Sequence, residues 1–195
     1  KADFDQAISM DPKNYDRLIE IYEALAAHGY REVGQEYLQN VLDTAKQLDA
    51  YDSGRIYYYL GEYQKAYLAL DEARDKGGAD SYLYLGRAYA ATGDYNYASS
   101  VYNNYLSKQG PNAEIYNELG LCEMAKKEYQ NALAAFQAGK QIEGNSLMQT
   151  LCFNEIVAYE YLEDYQQAEV LMNAYLQNYP DDQTAIREQQ FLSTR

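Results

Sequence analysis

Few residues in this sequence are of the types that carry out catalysis. The 195-residue chain has one histidine, His28, and two cysteines, Cys122 and Cys152. A Ser–His or Cys–His nucleophilic pair would have to use His28, which lies beside Gly29 in a predicted turn. We interpret His28 as a solvated loop residue and both cysteines as small buried hydrophobic residues, although a disulfide between them stays open. Zinc sites built from Cys and His are disfavoured, because they need more of these ligands.

Carboxylates are abundant, and any two of them could in principle work as acid and base. Nothing in the sequence, however, places a pair such as Asp71 and Glu72 at the separation that glycoside hydrolysis needs. Acidic faces on solvated helices are the ordinary explanation. Asp181 and Asp182 precede the last predicted helix, where negative charge is favourable. The sequence has no P-loop, dinucleotide-binding or metalloprotease motif, so we expect no enzymatic activity and no cofactor.

The charge balance excludes several classes of partner. Asp and Glu number 30 against 16 Lys and Arg, for a formal net charge of -14. Nucleic-acid and anionic-membrane binding need clustered basic residues, whereas the only adjacent basic pair is Lys126–Lys127. No apolar run approaches the roughly 20 residues of a membrane span. At 47% hydrophobic residues, including 24 Tyr, the chain can still bury a core and present half-buried aromatic faces.

A repeat runs along the chain. A Tyr-x-x-Ala motif, preceded by an acidic residue, recurs at steps of 32, 34 and 36 residues as Tyr63/Ala66, Tyr95/Ala98, Tyr129/Ala132 and Tyr165/Ala168. Gly54, Gly86 and Gly120 recur upstream of it at similar steps. Apolar residues on both sides follow helical spacing. The repeating unit is therefore predicted to be a pair of antiparallel helices of about 34 residues.

These residues resemble the tetratricopeptide repeat. The third unit matches that pattern well, with Tyr82, Leu85, Gly86, Tyr89, Gly93–Asp94–Tyr95, Ala98 and Tyr102. The resemblance implies an all-α, right-handed superhelix, an α-solenoid of tandem antiparallel helix pairs with a concave and a convex side. We assign one solenoid over 1–195: a helix of a preceding repeat at 1–14, repeats at 15–46, 47–78, 79–112, 113–147 and 148–182, and a closing helix at 183–195.

The first helix of each pair should present one face away from the core, and in this family that face lines the concave groove. The face is centred on the residue that follows the small residue of each first helix. It is predicted to have one basic and aromatic region, formed by Arg55, Arg87, Tyr51, Tyr58 and Tyr59. A second, apolar region is predicted to contain Leu121, Met124, Phe153 and Val157, and Asn117 is predicted to lie on the same face.

Two arginines at equivalent positions could hold a carboxylate of a partner through charge-assisted hydrogen bonds. The alternative is that each arginine pairs with an acidic residue of this chain, such as Asp52 or Asp80. The apolar residues could contact a partner, or they could pack against the helix that begins at Gln183 or against another repeat. The Lys/Asn/Arg clamp of co-chaperones in this family is incomplete here, which argues against binding of chaperone tails.

We therefore expect a non-catalytic protein–protein interaction scaffold that binds a peptide or protein segment in the groove. The alternatives are glycan or small-ligand binding on a Tyr-rich face, and a self-assembling scaffold that forms a homo-oligomer. The pattern is already under way at Lys1, which fits the removal of an N-terminal segment, as in bacterial envelope lipoproteins. We favour the bacterial cell envelope as the location, with the cytoplasm as the alternative.

Overall fold

The computed structural model describes residues 2–195, which form twelve α-helices and no strand. Lys1, the first residue of the predicted 1–14 segment, lies outside the described residues. The expectation of an all-α fold built from helix pairs is confirmed. The helices are α1 (Ala2–Met10), α2 (Tyr15–Ala27), α3 (Arg31–Thr44), α4 (Ala50–Leu60), α5 (Tyr63–Asp75), α6 (Ser81–Ala91), α7 (Tyr95–Gln109), α8 (Ala113–Ala125), α9 (Tyr129–Lys140), α10 (Met148–Tyr161), α11 (Tyr165–Asn178) and α12 (Gln183–Leu192).

The chain divides into two compact units that meet in the sequence between Thr92 and Gly93. We call them unit 1, with α1 to α6, and unit 2, with α7 to α12. Within each unit, a helix packs against the helix that follows it. None of the helices in the described part of the chain has the length and apolar character that crossing a membrane requires.

Half of the helix starts have a local cause, because six of the twelve helices begin at a capping side chain. Asn14, Asp49, Asp94, Asn112 and Asp164 each accept a hydrogen bond from the backbone N–H three residues further on. Such caps satisfy N–H groups that the first helical turn leaves free. They also explain why an acidic residue precedes two of the Tyr-x-x-Ala motifs.

The last helix begins in the same way. Asp182 accepts hydrogen bonds from the backbone N–H groups of Thr184 and Ala185, at 3.0 and 3.1 Å. The Tyr175 hydroxyl donates to the same carboxylate at 2.6 Å, and these bonds, with Tyr175 first, hold the pKa of Asp182 below its usual range. The prediction that this acidic pair serves a helix N-terminus is confirmed for Asp182.

The recurring small residues allow helices to approach closely. The alanines of the Tyr-x-x-Ala motifs have no exposed surface: Ala66, Ala98, Ala132 and Ala168. A Cβ at Gly54 of α4 would lie 2.5 Å from Cγ of Leu70 in α5, and a Cβ at Gly120 of α8 would lie 2.3 Å from Cε1 of Phe136 in α9. Both distances are far inside van der Waals contact. Glycine at these positions is therefore required by the packing of each pair.

Candidate functional site

The predicted ligand-binding surface is the side of the first helices that contains Arg55 and Leu121. These two residues directly follow Gly54 and Gly120. We call this surface the first-helix face. It belongs to α2, α4 and α6 in unit 1 and to α8, α10 and α12 in unit 2.

The sequence led us to expect that Arg55 could hold a carboxylate of a ligand, but the structure shows that its guanidinium is already engaged. The residue is only 6% exposed. Its guanidinium forms ion pairs with Asp52, three residues earlier in α4, and with Asp16 of α2. The Asp16 side chain is 75% exposed, whereas that of Asp52 is 17% exposed. Since both terminal nitrogens already hold carboxylates of this chain, the alternative of internal pairing applies to Arg55, and the partner-binding role is not supported.

Arg87 lies close to the same aromatic surface, without being buried to the same degree. Its guanidinium carbon is 5.6 Å from the ring centre of Tyr84, and that of Arg55 is 5.8 Å from the same centre. The two arginines thus share one tyrosine ring, a contact that cations favour. Tyr84 was missed in the sequence analysis. Its spacing of three residues before Arg87, which places both on one helix face, was the signal that could have found it.

The structure does bring the predicted tyrosines of unit 1 together. Tyr84 lies 6.2 Å from Tyr51, 5.9 Å from Tyr58 and 6.0 Å from Tyr59, measured between ring centres. The Tyr59 hydroxyl donates to Glu23 at 2.6 Å. Burial, followed by the hydrogen bond to Glu23, raises the pKa of Tyr59, so this phenol stays protonated. We call Tyr51, Tyr58, Tyr59 and Tyr84 the tyrosine cluster.

A cleft of about 350 Å³ adjoins the tyrosine cluster in unit 1. Tyrosine rings form part of its wall, with Tyr63 of α5 added to Tyr58 and Tyr59. Tyr58 and Tyr63 lie 6.1 Å apart at an interplanar angle of 53°. Its polar wall contains Glu23, Arg31 and Gln35. We call this cleft the tyrosine pocket; its size is within the range of small-ligand sites.

On the first-helix face of unit 2, one helical turn of α8 and α10 carries polar side chains and the next turn carries apolar ones. Asn117 of α8 is 7% exposed, and its Oδ1 accepts a hydrogen bond from Nδ2 of Asn154 in α10 at 2.9 Å. This bond fixes the two helices side by side. Leu121 lies one turn after Asn117, and Val157 nearly one turn after Asn154, so both continue the same face. Leu121 is 43% exposed and Val157 half-buried.

The apolar surface extends one further turn along α10. Tyr161 is 57% exposed, and its ring stacks on Tyr129 of α9 at 5.0 Å. We call Leu121, Val157 and Tyr161 the apolar strip. Asn154 was not among the residues predicted from the sequence; its spacing of three residues before Val157 was the available signal.

Two predicted residues of unit 2 contribute to packing. Met124 packs against the buried cluster that contains Leu133 and Phe136. Phe153 packs against the cluster around Met172, with its ring 5.7 Å from that of Tyr175. Phe153 also lines a pocket of about 280 Å³ with Asn154 and with Thr184 of α12. The alternative considered in the sequence analysis, packing near the last helix, therefore applies to Phe153.

Of the residues considered for a nucleophilic pair, His28 belongs to unit 1 and both cysteines belong to unit 2. His28 is exposed at the end of α2, with ring Nδ1 2.8 Å from the carbonyl oxygen of Ala24. Both cysteines are free, and burial raises the pKa of the Cys122 thiol to about 12. Among the described residues, no group of three or more His, Cys, Asp or Glu side chains could hold a metal ion.

Comparison with known proteins gives two kinds of match. The family model of the tetratricopeptide repeat matches residues 51–98 and 85–145, a little under half of the chain. A thermophilic tetratricopeptide repeat protein from Thermus thermophilus has a TM-score of 0.70 at 16% identity, over 93% of this chain and 100% of that chain. The comparison with curated proteins gave no match.

Two further solved structures share the fold. A tetratricopeptide repeat protein from Parabacteroides merdae has a TM-score of 0.65 at 18% identity, over 91% of this chain and 72% of that one. YrrB, a tetratricopeptide repeat protein with an unusual peptide-binding site, has a TM-score of 0.62 at 18% identity, over 96% and 97%. The family match covers residues 51–145, and the solved tetratricopeptide repeat proteins share the all-α fold of nearly the whole chain.

Proposed function

We propose that this protein is a non-catalytic scaffold that binds a peptide or protein segment on the first-helix face of unit 2. Tetratricopeptide repeats generally mediate protein interactions, and members of the family are generally non-catalytic. The observation that carries the proposal is the apolar strip beside the Asn117–Asn154 pair. YrrB, which shares this fold, is described as having a peptide-binding site, and this supports a peptide as the class of ligand.

The chemistry of the strip suits an extended chain segment. Leu121 and Tyr161 expose 43% and 57% of their surface, and an apolar side chain of a partner would remove that surface from water. Asn154, which lies beside the strip and is half-buried, supplies an amide group that both donates and accepts, as a peptide backbone does. A ligand with alternating apolar side chains and free backbone groups fits both features.

Leu121→Glu tests this proposal. A peptide would first be selected on the immobilised protein from a random display library, and its Kd would then be measured by calorimetry. We expect Leu121→Glu to weaken binding about tenfold or more, because it places a charge where apolar surface should be buried. Leu121→Met, which keeps the apolar contact, should bind like the wild type.

The matched control is Val170→Glu, since Val170 is 58% exposed on α11, a second helix of the same unit. It should leave Kd within about twofold. Equal losses for both variants, or none for Leu121→Glu, would contradict the proposal. Elution of the free protein above monomer mass would instead support the self-assembling scaffold.

The tyrosine pocket supports a second candidate, the binding of an uncharged saccharide. Glu23 and Arg31 lie in one wall, so a ligand of either charge meets a like charge there. A neutral sugar can place its apolar ring face on Tyr58 or Tyr63 and its hydroxyls on Gln35, Arg31 and Glu23.

Saturation-transfer NMR with N-acetylglucosamine and maltose tests the second candidate. Transfer should be lost in Tyr63→Ala and kept in Tyr97→Ala, which changes a 43% exposed tyrosine of unit 2. Glucosamine and glucuronate should give weaker transfer than the neutral sugars. If the charged sugars bind more tightly, the charge argument is wrong.

A further inference from the structure

The pocket of about 280 Å³ beside Phe153 lies between α10 and the start of α12 in unit 2. Besides Phe153 and Asn154, its lining includes Gln149 of α10, Tyr175 of α11 and Asp182, the residue that caps α12. Asp182 is half-buried, and Tyr175 is 4% exposed. Aromatic, amide and carboxylate groups therefore meet in one small space, which we call the acceptor pocket.

The hydrogen-bond donors of Tyr175 and Gln149 are used within the acceptor pocket itself. The Tyr175 hydroxyl donates to Oδ2 of Asp182 at 2.6 Å. Nε2 of Gln149 donates to the Tyr175 hydroxyl at 3.1 Å and to the same carboxylate oxygen at 3.5 Å. A hydroxyl has one hydrogen to donate and an amide group has two. Neither side chain therefore has a donor left for a ligand.

Acceptors, by contrast, remain in the lining. Within the described part of the chain, no donor is hydrogen-bonded to Oε1 of Gln149 or to Oδ1 of Asn154. An amide oxygen has two lone pairs, and a carboxylate offers about four acceptor sites. A ligand group that satisfies these atoms must bring donors rather than acceptors.

The carboxylate of Asp182 keeps its negative charge. All of its hydrogen-bond donors are uncharged: Tyr175, Gln149 and the backbone N–H groups of Thr184 and Ala185. The hydrogen bond from Tyr175, followed by that from Ala185, holds the pKa of Asp182 below its usual range. The carboxylate is therefore ionised at neutral pH and is not neutralised by the groups that hold it.

The basic side chains of unit 2 do not occupy the acceptor pocket. Among the described residues, none forms an ion pair with Asp182, and none is part of the lining. The ammonium groups of Lys126 and Lys140 pair with glutamates of α8 and α10. Arg187, the basic residue of α12, is exposed and lies outside the lining. The negative charge of the pocket is thus open to a cation of another molecule.

We propose that the acceptor pocket binds the guanidinium group of an arginine in the peptide that the first-helix face of unit 2 binds, an inference that rests on the proposed function. A guanidinium group has five N–H donors, no acceptor and a permanent positive charge, so it complements both the free acceptors and the carboxylate. Its planar face can stack on the ring of Phe153, which an ammonium group cannot do as well.

The position of the pocket predicts where this arginine lies in the peptide. Val157 of the apolar strip follows Phe153 by four residues of α10, which is a rise of about 6 Å. An extended peptide covers about 3.3 Å per residue, and every second side chain points to the same side. The arginine should therefore lie two residues from the apolar residue that contacts Val157.

NMR titration of the isotope-labelled protein with N-acetyl-arginine amide and N-acetyl-citrulline amide tests the proposal. Citrulline has the shape of arginine, but its urea group is uncharged and contains an acceptor. The backbone amide signals of Thr150, Asn154 and Thr184 report on the pocket. They should shift saturably with the arginine probe, and Kd for the citrulline probe should be at least about tenfold higher. Equal Kd values for the two probes would overturn the proposal.

Asp182→Asn removes the charge of the pocket and keeps a side-chain oxygen that can cap α12. It should weaken binding of the arginine probe about tenfold. The matched control is Asp181→Asn, which removes an exposed neighbouring charge outside the lining and should leave Kd within about twofold. Equal losses in both variants, or none in Asp182→Asn, would overturn the proposal. The comparison of the two probes on the unaltered protein does not depend on the folding of either variant.

Leu121→Glu separates this inference from the proposed function. In this variant the selected peptide should bind weakly, whereas N-acetyl-arginine amide should bind as it does to the wild type. If the arginine probe binds in the pocket but no peptide depends on Leu121, the proposed function is wrong and the guanidinium site stands without it. If peptides depend on Leu121 but the arginine and citrulline probes bind alike, only the present inference is wrong.

Discussion

In unit 1 the residue after Gly54 is Arg55, 6% exposed; in unit 2 the residue after Gly120 is Leu121, 43% exposed. The two residues hold equivalent positions on their first helices. Arg55 is covered by tyrosine rings and neutralised by Asp16 and Asp52. Leu121 is left uncovered within its unit. The same backbone framework thus supports one first-helix face that is satisfied internally and one that has apolar surface to offer.

This difference shows why a repeat fold does not by itself specify a binding site. The buried small residues are alike in both units, because every pair must solve the same packing problem. The outward residues are not required by that packing. They can be used for stability, as Arg55 is, or left for contact with other molecules, as we propose for Leu121.

Substitution of the two equivalent residues by alanine should give the largest contrast. Arg55→Ala should lower the free energy of unfolding by about 3 kcal/mol, because it leaves the poorly exposed Asp52 carboxylate without its partner. Leu121→Ala should cost less than about 0.5 kcal/mol, as is usual for exposed positions. Urea unfolding of both variants measures this. Similar losses would remove the distinction between the two faces.

The glycines before these residues should instead behave alike. Gly54→Ala and Gly120→Ala should each cost about 2 kcal/mol, since the added Cβ would meet Leu70 or Phe136 at 2.5 or 2.3 Å. In a Phe136→Ala background, Gly120→Ala should lose most of its effect, because the ring that it meets is gone. A double-mutant cycle in urea checks this, and additive losses would contradict the assigned contact.

Glu160 in unit 2 is expected to make the free energy of unfolding depend on pH. Burial raises its pKa to about 7, so the stability that it gives is present at acidic pH and is lost as pH rises through about 7. Glu160→Gln should therefore raise stability at pH 8 by about 1 kcal/mol, after allowance for its partial exposure, and change little at pH 5. Thermal unfolding at the two pH values is the measurement. A gain of equal size at pH 5 would show that the effect is not one of protonation.

The smallest effect concerns salt. If ligands bind at the apolar strip, Kd for a selected uncharged peptide should change less than about twofold between low and high ionic strength. If Arg87 provided the main contact, binding would weaken clearly with added salt. Titration of one peptide at several salt concentrations separates the two faces.

The sequence by itself determined the helix pairs and their order. Spacing of apolar residues, capping residues such as Asp94, and the small residues at Gly54 and Gly120 act within one or two helices. Their effect can therefore be predicted without knowing what lies elsewhere in the chain. The resemblance to the tetratricopeptide repeat followed from the same local pattern, and so did the membership of the tyrosine cluster, apart from Tyr84.

The tertiary structure decided which outward residues are exposed and which are engaged within the chain. Asp16 neutralises Arg55 across 39 residues of chain, and Asn154 meets Asn117 across 37. Helical periodicity says that a residue points away from its own core, but not which residue of another helix it meets there. That depends on the register between neighbouring first helices, which is set by packing of the whole unit. For this reason the positions of Arg55 and Leu121 were predictable from the sequence, while the burial of the first and the exposure of the second were not.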